Sequence, residues 1–205
     1  MFEYLFSQYS DYPKHEIFLE ITAVIFGLLS VWCAKKNNIL VFPTGVISTM
    51  IYVYLLWKWS LLGDMQINAY YVIMSIYGWY HWTRQKGNVV EFPVSKTTKA
   101  ERKWALMLFF LSMFFVAIVY SYFDKFTSWT AYVDTLTTGI FFAGMWLMAK
   151  RKIENWILWI IGDFISIPLY FYKGYTFTSI QYIIFTIIAV YGYLEWKKIL
   201  QQKEI

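Results

Sequence analysis

A single carboxylate stands inside the most apolar stretch of the chain. Asp163 lies at the centre of NWILWIIGDFISIPLYFY, residues 155–172, with Trp159 four residues before it. A charged side chain at the middle of a membrane helix costs about 2.5–3.5 kcal/mol on insertion scales. Intramembrane carboxylates usually face the bundle interior or a water-filled cavity and mark ligand or ion pathways there. Asp163 is therefore a candidate ligand-binding residue.

Polar and aromatic side chains recur at helical spacing on this run and on two others. On each run they share one face, which predicts that the three faces converge on one binding site. The candidate substrate-binding residues are Asn155, Trp159 and Asp163 on the first run, Asn68, Tyr71 and Trp79 on the second, and Gln181 and Tyr182 on the third. Asn68 and Gln181 fit equally well as hydrogen-bonding links between helices without any ligand.

Such a site suits a small, flat and cationic molecule. Tryptophan and tyrosine faces attract cations by about 0.5–1 kcal/mol when exposed and by about 2 kcal/mol or more when dry, and they stack on planar rings. Asp163 would add a counter-charge, and side-chain amides would bond polar groups of the ligand. These residue types favour a class of ligand without naming the molecule.

Motifs for catalysis or metal binding are missing from the sequence. It contains no Walker-type phosphate loop, no His-Glu metal motif and no Gly-x-Ser-x-Gly elbow. The two histidines, His15 and His81, fall on opposite sides of the predicted membrane, so they cannot share a metal. We therefore expect neither an enzyme nor a bound cofactor. Without a nucleotide-binding module, a passive carrier is favoured over a pump.

Seven apolar runs are long enough to cross a bilayer as helices. The chain is 59% hydrophobic and 15% charged, more apolar surface than a soluble domain of this size can bury. A hydrocarbon core of about 30 Å needs about 20 helical residues. The runs are residues 16–34, 39–57, 66–82, 104–123, 132–149, 155–172 and 177–196. The sequence predicts an all-α integral membrane protein with seven transmembrane helices.

The basic residues indicate the orientation of these spans. Of the 18 Lys and Arg residues, all but Lys14, Lys58, Lys125 and Lys173 fall on one side of a seven-span arrangement. The positive-inside rule puts that side in the cytoplasm, with the amino terminus outside and the carboxyl terminus inside. The net charge of +5 is thus explained by topology, and no nucleic-acid partner is expected.

The chain also contains two similar halves of three spans each. At an offset of 114 residues, YGWYHW superimposes on YGYLEW. The other matches at this offset are Glu20 with Asp134, Trp32 with Trp146, and Lys36 with Lys150. In the second span of each half the best match shifts to an offset of 117, which pairs Val46 with Asp163. The fourth span, which can face lipid all round, separates the halves and gives them the same orientation. We predict a 3+1+3 architecture of parallel repeats related by an axis along the membrane normal.

The predicted domain boundaries follow from this architecture. They are an extracytoplasmic segment 1–15, a first repeat 16–83, a cytoplasmic loop 84–103, a linker helix and loop 104–131, a second repeat 132–198 and a cytoplasmic tail 199–205.

Eight further residues are predicted to act in structure or gating. They are Glu20, Asp134, Trp32, Lys36, Trp146, Lys150, Pro43 and Pro168. The two prolines are candidate hinges because proline interrupts helical hydrogen bonding. Trp32 and Trp146 lie near cytoplasmic ends, where tryptophan also gathers simply as an interfacial anchor.

Four segments resemble the PnuC family of bacterial vitamin-precursor transporters. They are GLLSVWCAKKNN, LLGDMQINAYYVIMSIYGWYHW, GMWLMAKRKIENWILWIIGDFISIPLYFYKGY and TSIQYIIFTIIAVYGYLEWKK, and the similarity runs from about Glu20 to Lys198. The resemblance implies a fold akin to a full-length SWEET transporter, a homotrimer, and uptake of nicotinamide riboside across the cytoplasmic membrane by facilitated diffusion. It also implies a separate cytoplasmic kinase that phosphorylates and traps the substrate. Transport of thiamine or another flat vitamin, or of a sugar, stays open as an alternative.

Overall fold

Seven long helices run through the part of the chain that the computed structural model describes, which is residues 13–59, 62–86, 89–173 and 176–202. They are α1 (Lys14–Lys35), α2 (Val41–Lys58), α3 (Leu62–Thr83), α4 (Lys99–Tyr122), α5 (Trp129–Ala149), α6 (Asn155–Tyr172) and α7 (Thr176–Gln201). Each corresponds to one predicted span, so the predicted all-α class is confirmed. The predicted amino-terminal segment lies outside the described residues up to position 12, and the tail does so from position 203.

Three of these helices are apolar enough over their length to cross a membrane by composition alone. Within the described ranges they are α1, α2 and α4. The other helices carry more tryptophan, tyrosine and polar residues, which hydropathy scales count against a span even where those side chains face the bundle interior.

The helices pack as two three-helix halves. In the first half α2 contacts both α1 and α3, and in the second half α6 contacts both α5 and α7. The halves meet where α1 contacts α7 and where α3 contacts α5, while α4 lies against α5. This is the predicted 3+1+3 arrangement, with the linker helix on the outside of the second half.

Reciprocal tryptophan contacts join the halves at the ends of α3 and α7. Trp82 Nε1 donates to the carbonyl oxygen of Ala149 at 3.1 Å, and Trp196 Nε1 donates to that of Ala34 at 3.0 Å. The two indole rings lie 5.9 Å apart. Each third helix is thus tied to the first helix of the other half, at the same end of the bundle, as parallel repeats require.

The register between the halves is 114 residues throughout, so the predicted shift to 117 is wrong. Phe42 packs edge-on against Trp82 with ring centroids 4.9 Å apart, and Trp156 packs in the same way against Trp196 at 5.5 Å. A shift of three residues is nearly one helical turn, so the apolar pattern fits both alignments and only the contacts decide. The counterpart of Asp163 is therefore Thr49 rather than Val46.

At equivalent helix contacts, the two halves carry residues of different size. In the first half Gly27 faces Ser48, and Gly45 faces Ser30. The equivalent pairs in the second half are Phe141 with Gly162, and Trp159 with Gly144. The second half therefore carries large rings where the first carries glycines, and glycines where the first carries serines, so the two halves cannot form identical surfaces towards the centre of the bundle.

The loop between α3 and α4 is more ordered than the sequence indicated. It begins with an antiparallel pair of two-residue strands, β1 (Gln85–Lys86) and β2 (Val89–Val90). Ser95 then pairs with the turn between α5 and α6, because its backbone N–H donates to Arg151 and its carbonyl accepts from Ile153. A capping box at Thr98 and Glu101 begins α4.

Candidate functional site

Asp163 lies in the interior of the bundle, as its intramembrane position predicted. Its side chain is 2% exposed, and no described residue forms an ion pair with it. Ser166 follows one turn later on α6 and is fully buried, and its hydroxyl has no hydrogen-bond partner within the described ranges. A buried carboxylate and a buried hydroxyl side by side constitute a polar site that is open to a ligand or to water.

Five rings from four helices surround this polar pair. We call Tyr71, Phe141, Trp159, Tyr170 and Tyr182 the aromatic cluster. Phe141 lies 5.4 Å from Trp159 and 6.1 Å from Tyr182, nearly parallel to the latter, while Tyr71 meets Trp159 at 6.2 Å and Tyr170 meets Tyr182 at 5.2 Å. Tyr71 is also near enough to Asp163 and Tyr182 for an electrostatic interaction. Spaced rings around a carboxylate can stack on a flat cation and balance its charge.

The local sequence of α6 explains how Phe141 comes so near to Asp163. Gly162 precedes Asp163, and a β-carbon at this position would collide with the Phe141 ring. The missing side chain lets α5 and its phenylalanine approach the α6 backbone. Pro168 lies inside the same helix and removes the N–H that would bond the carbonyl of Phe164. Helix α6 thus contains the carboxylate, the glycine that allows close packing, and the proline that weakens the helical hydrogen bonding.

The structure brings together four of the eight predicted binding residues, namely Tyr71, Trp159, Asp163 and Tyr182. Asn68 and Gln181 are both half-buried. Asn68 precedes Tyr71 by about one helical turn, and Gln181 directly precedes Tyr182. The convergence of α3, α6 and α7 that their polar faces predicted is therefore present in the fold.

Asn155 and Trp79 lie away from the aromatic cluster. Asn155 is the first residue of α6, about 12 Å along the helix from Asp163 at 1.5 Å per residue. Its Nδ2 donates to the carbonyl of Lys152 at 2.6 Å, and its buried Oδ1 has no partner within the described ranges. Trp79 is 42% exposed and lies two turns beyond Tyr71. The prediction took polar and aromatic residues along one face of the whole helix, whereas the site occupies only one or two turns. Both residues were therefore included although they lie beyond it.

Sequence reasoning missed Phe141, Tyr70 and Phe142. The Tyr70 and Phe142 rings stack at 3.9 Å, and the Tyr70 hydroxyl donates to the Phe142 carbonyl at 3.0 Å, which links α3 to α5 at mid-height. An apolar phenylalanine in an apolar span gives no sequence signal by itself. The offset of 114 already paired Phe141 with Gly27 of the first half, and this replacement of a glycine by a ring is the signal that could have singled Phe141 out.

The predicted structural carboxylates lie near the ends of their spans. Asp134 accepts from Lys173 at 2.5 Å, within the second half. In the first half the analogous contact is made by Glu16, which accepts from Lys58 at 2.6 Å and from Trp59 at 2.9 Å. Glu20, the predicted partner of Asp134 in the repeat, is half-buried one turn beyond Glu16. Each of these ion pairs stays within one half.

The predicted tryptophan and lysine residues share a second pattern. Lys36 Nζ lies 5.4 Å from the Trp32 ring centroid, and Lys150 Nζ lies 5.1 Å from that of Trp146. Trp32 is 44% exposed and Trp146 is half-buried. Pro43 occupies the third position of α2, where backbone N–H groups have no partner within the helix, so the bond-breaking argument for a hinge does not apply to it.

Arg151 closes the end of the bundle where the tryptophan contacts lie. Its Nε donates to Asn37 Oδ1 at 3.1 Å, its Nη1 donates to the carbonyl of Phe92 at 3.2 Å, and its guanidinium lies 4.1 Å from the Trp82 ring centroid. Asn37 and Arg151 are themselves repeat equivalents, and both adopt positive φ. Burial lowers the pKa of Arg151 to about 10, which leaves the group charged at neutral pH.

Comparison with known proteins identifies the same architecture. A family model described as "Nicotinamide mononucleotide transporter" matches residues 17–198. The crystal structure of the vitamin B3 transporter PnuC superimposes with a TM-score of 0.68 at 22% identity, covering 90% of this chain and 83% of that one. The resemblance to PnuC proteins predicted from the sequence is thereby confirmed.

Curated relatives of the chain carry two kinds of substrate in their names. The nicotinamide riboside transporter PnuC of Escherichia coli is 25% identical over 87% of this chain and 84% of its own length. The protein of the same name from Neisseria mucosa is 26% identical, covering 90% and 73%. The riboflavin/roseoflavin transporter RibM of Streptomyces davaonensis is 23% identical, covering 90% and 87%.

Proposed function

Because this chain belongs to the nicotinamide mononucleotide transporter family, and is thus a membrane transporter and not an enzyme, we propose that its substrate is nicotinamide riboside. Several relatives that match most of its length carry that substrate in their names. The protein takes the nucleoside up across the cytoplasmic membrane of a bacterium, with its amino terminus outside and its carboxyl terminus in the cytoplasm.

The observation that carries this proposal is a buried carboxylate inside the aromatic cluster. Nicotinamide riboside has a flat pyridinium ring with a fixed positive charge, a carboxamide and ribose hydroxyls. Trp159 and Tyr71 stack on the ring, and Asp163 balances its charge. The Ser166 hydroxyl, which has no partner among the described residues, and the amides of Asn68 and Gln181 bond the polar groups of the substrate. A buried charge is tolerated because the substrate supplies its counter-ion.

The distribution of contacts supports a cycle of alternating access. The indole bonds of Trp82 and Trp196 and the Arg151 contacts cross between the halves at one end of the bundle, which is the cytoplasmic end in the predicted orientation. The ion pairs of Glu16 and Asp134, at the other end, each stay within one half. The halves therefore rock about the central site by exchanging contacts at the cytoplasmic end for contacts outside.

Transport is by facilitated diffusion, so the carrier equilibrates its substrate and does no more. A separate cytoplasmic kinase phosphorylates the nucleoside, and the added charge traps the product inside. The functional unit is a homotrimer in which each chain carries its own central site.

Uptake by liposomes that contain only this protein tests the proposal. We expect labelled nicotinamide riboside to enter until the inner and outer concentrations are equal, with or without an imposed proton or sodium gradient. Accumulation above the outer concentration in response to a gradient would contradict facilitated diffusion. Failure of nicotinamide riboside to enter or to compete would contradict the assigned substrate.

Riboflavin is the second candidate substrate, because the relative RibM is named for it. Its ring system also stacks on aromatic side chains, but it is uncharged at neutral pH and gives Asp163 no counter-ion. Competition with riboflavin, thiamine and a hexose in the same uptake assay separates these classes. Nicotinamide riboside is expected to compete at the lowest concentration.

A further inference from the structure

A second candidate site lies at the cytoplasmic ends of α3, α4 and α5, away from the aromatic cluster. A cleft of about 410 Å³ there is lined by Met74, Tyr77, Trp104, Trp146 and Lys150. Trp104 is 57% exposed, so the cleft opens on the outer surface of the bundle. In a membrane protein such a surface faces lipid wherever it lies outside the contacts between copies of the chain.

Lys150 provides the only charge in the lining of this cleft. Its Nζ lies 5.1 Å from the Trp146 ring centroid, and no carboxylate in the described part of the chain pairs with it. The other four lining side chains are aromatic or apolar. The cleft therefore combines one free positive charge with walls that suit a hydrocarbon chain.

The first half contains equivalents of three of the lining residues. Trp32, Lys36 and Tyr191 are the repeat equivalents of Trp146, Lys150 and Tyr77. Lys35 lies above the Trp32 ring at 4.2 Å and above the Tyr191 ring at 5.0 Å. Trp104 belongs to the linker helix α4, which packs against α5 and has no counterpart in the first half. The wall of the cleft that Trp104 forms is thus specific to the second half.

We propose that this cleft binds one anionic phospholipid of the cytoplasmic leaflet. The phosphate lies at Lys150, and an acyl chain lies along Met74 and the tryptophan walls. Basic residues on the cytoplasmic side of a membrane attract anionic lipids, and tryptophan and tyrosine prefer the depth of the headgroups. A soluble phosphate ester would gain little from these walls, because they offer it few hydrogen-bond donors.

Native mass spectrometry of the full chain in detergent tests this site. The protein is incubated with equimolar phosphatidylglycerol and phosphatidylcholine of the same chain length. We expect one phosphatidylglycerol adduct to survive at least tenfold more often than a phosphatidylcholine adduct. Lys150→Gln should reduce that adduct about tenfold, Lys150→Arg should retain it, and Trp104→Ala should weaken it. Lys36→Gln, the matched change in the other half, should leave it within twofold of the wild type.

Several results would overturn the proposal. One is equal retention of the two lipids, and another is an equal effect of Lys36→Gln and Lys150→Gln. Displacement of the lipid by millimolar inorganic phosphate would assign the cleft to a soluble anion. A change of oligomeric mass in Trp104→Ala, with lipid retention unchanged, would assign it to a contact between copies of the chain. Because Lys150→Arg keeps the charge and Trp104→Ala alters an exposed side chain, at least one of them serves as a test if Lys150→Gln fails to fold.

Discussion

At the scale of single residues, Asp163 carries the most specific consequence of the structure. It is buried, and no described basic residue pairs with it, so the apo protein bears a cost that the proposed cationic ligand would relieve. Its repeat equivalent Thr49 is instead satisfied within its own helix, because its hydroxyl donates to the carbonyl of Gly45 at 2.8 Å. The two positions therefore form a natural pair for comparison.

Asp163→Asn should weaken binding of nicotinamide riboside while leaving the fold intact. A bond to a charged group is worth about 1.5–3 kcal/mol, so we expect the dissociation constant to rise about 10- to 100-fold. The thermal midpoint of the apo protein should stay unchanged or rise, since a buried charge has been removed. Titration of tryptophan fluorescence measures the affinity, and Thr49→Val is the control. Unchanged affinity in Asp163→Asn would assign Asp163 to the structure alone.

Trp159 tests the stacking part of the same site. Stacking of a base on an aromatic ring is worth about 1–3 kcal/mol, so Trp159→Ala should weaken binding about fivefold or more. Phe114→Ala is the control, because Phe114 lies on the outer face of α4 and is exposed. Equal losses in the two variants, measured by isothermal titration calorimetry, would contradict stacking at Trp159.

At the scale of helices, close packing is concentrated at a few glycines. A β-carbon on Gly192 would lie 2.7 Å from the Trp156 ring, whereas one on Gly144 would lie 3.4 Å from Leu158, an ordinary contact. Gly192→Ala should therefore destabilise the α6–α7 pair by about 1–3 kcal/mol, and Gly144→Ala should not. Thermal unfolding followed by size-exclusion chromatography measures the difference. Equal midpoints would show that the Trp156 ring moves aside at no cost.

The two prolines distinguish a hinge from a helix start. Pro168 interrupts the hydrogen-bond ladder inside α6, while Pro43 lies in the first turn of α2. Pro168→Ala restores a bond and stiffens α6, so we expect slower substrate exchange with little change in affinity. Pro43→Ala should leave the exchange rate near that of the wild type. Counterflow of labelled substrate in liposomes measures both, and a rate unaffected by Pro168→Ala would exclude a hinge there.

At the scale of the whole molecule, the repeat could be predicted from the sequence, but its internal register could not. Trp, Gly and Lys matches fixed the offset at the helix ends, where these residue types are rare enough to align. Between them, identities such as Asn38 with Asn155 favoured an offset of 117, although the packing of Phe42 and Trp156 follows 114. The sequence of an apolar helix changes little when it is shifted by about one turn, so only side-chain contacts distinguish the offsets 114 and 117.

The candidate site shows the same limit. Asp163, Trp159 and Tyr71 were predictable because a charge or an aromatic ring at helical spacing is conspicuous in an apolar span. Phe141 was not, because its role depends on the absence of a side chain at Gly162 of another helix. The ordered loop around Ser95 depends on backbone hydrogen bonds, which leave no pattern in the sequence.

Closure of the end of the bundle that holds Arg151 provides a test of the proposed transport cycle. Arg151 joins the halves through Asn37 and is held over Trp82, so Arg151→Gln should shift the protein towards states open at that end. The chain has one cysteine, Cys33, which is half-buried and packs beside the same contacts. It therefore reports opening without an engineered probe.

We expect N-ethylmaleimide to alkylate Cys33 several-fold faster in Arg151→Gln than in the wild type, because the end of α1 is released when the halves separate. Arg84→Gln is the matched control, since Arg84 pairs with Glu91 in the loop after α3 and with Tyr80 of the same half, so these side-chain contacts do not cross between the halves. Mass spectrometry of the intact protein gives both rates. Equal rates in the two variants would mean that the tryptophan contacts alone hold this end closed, and the gating role would then pass from Arg151 to Trp82 and Trp196.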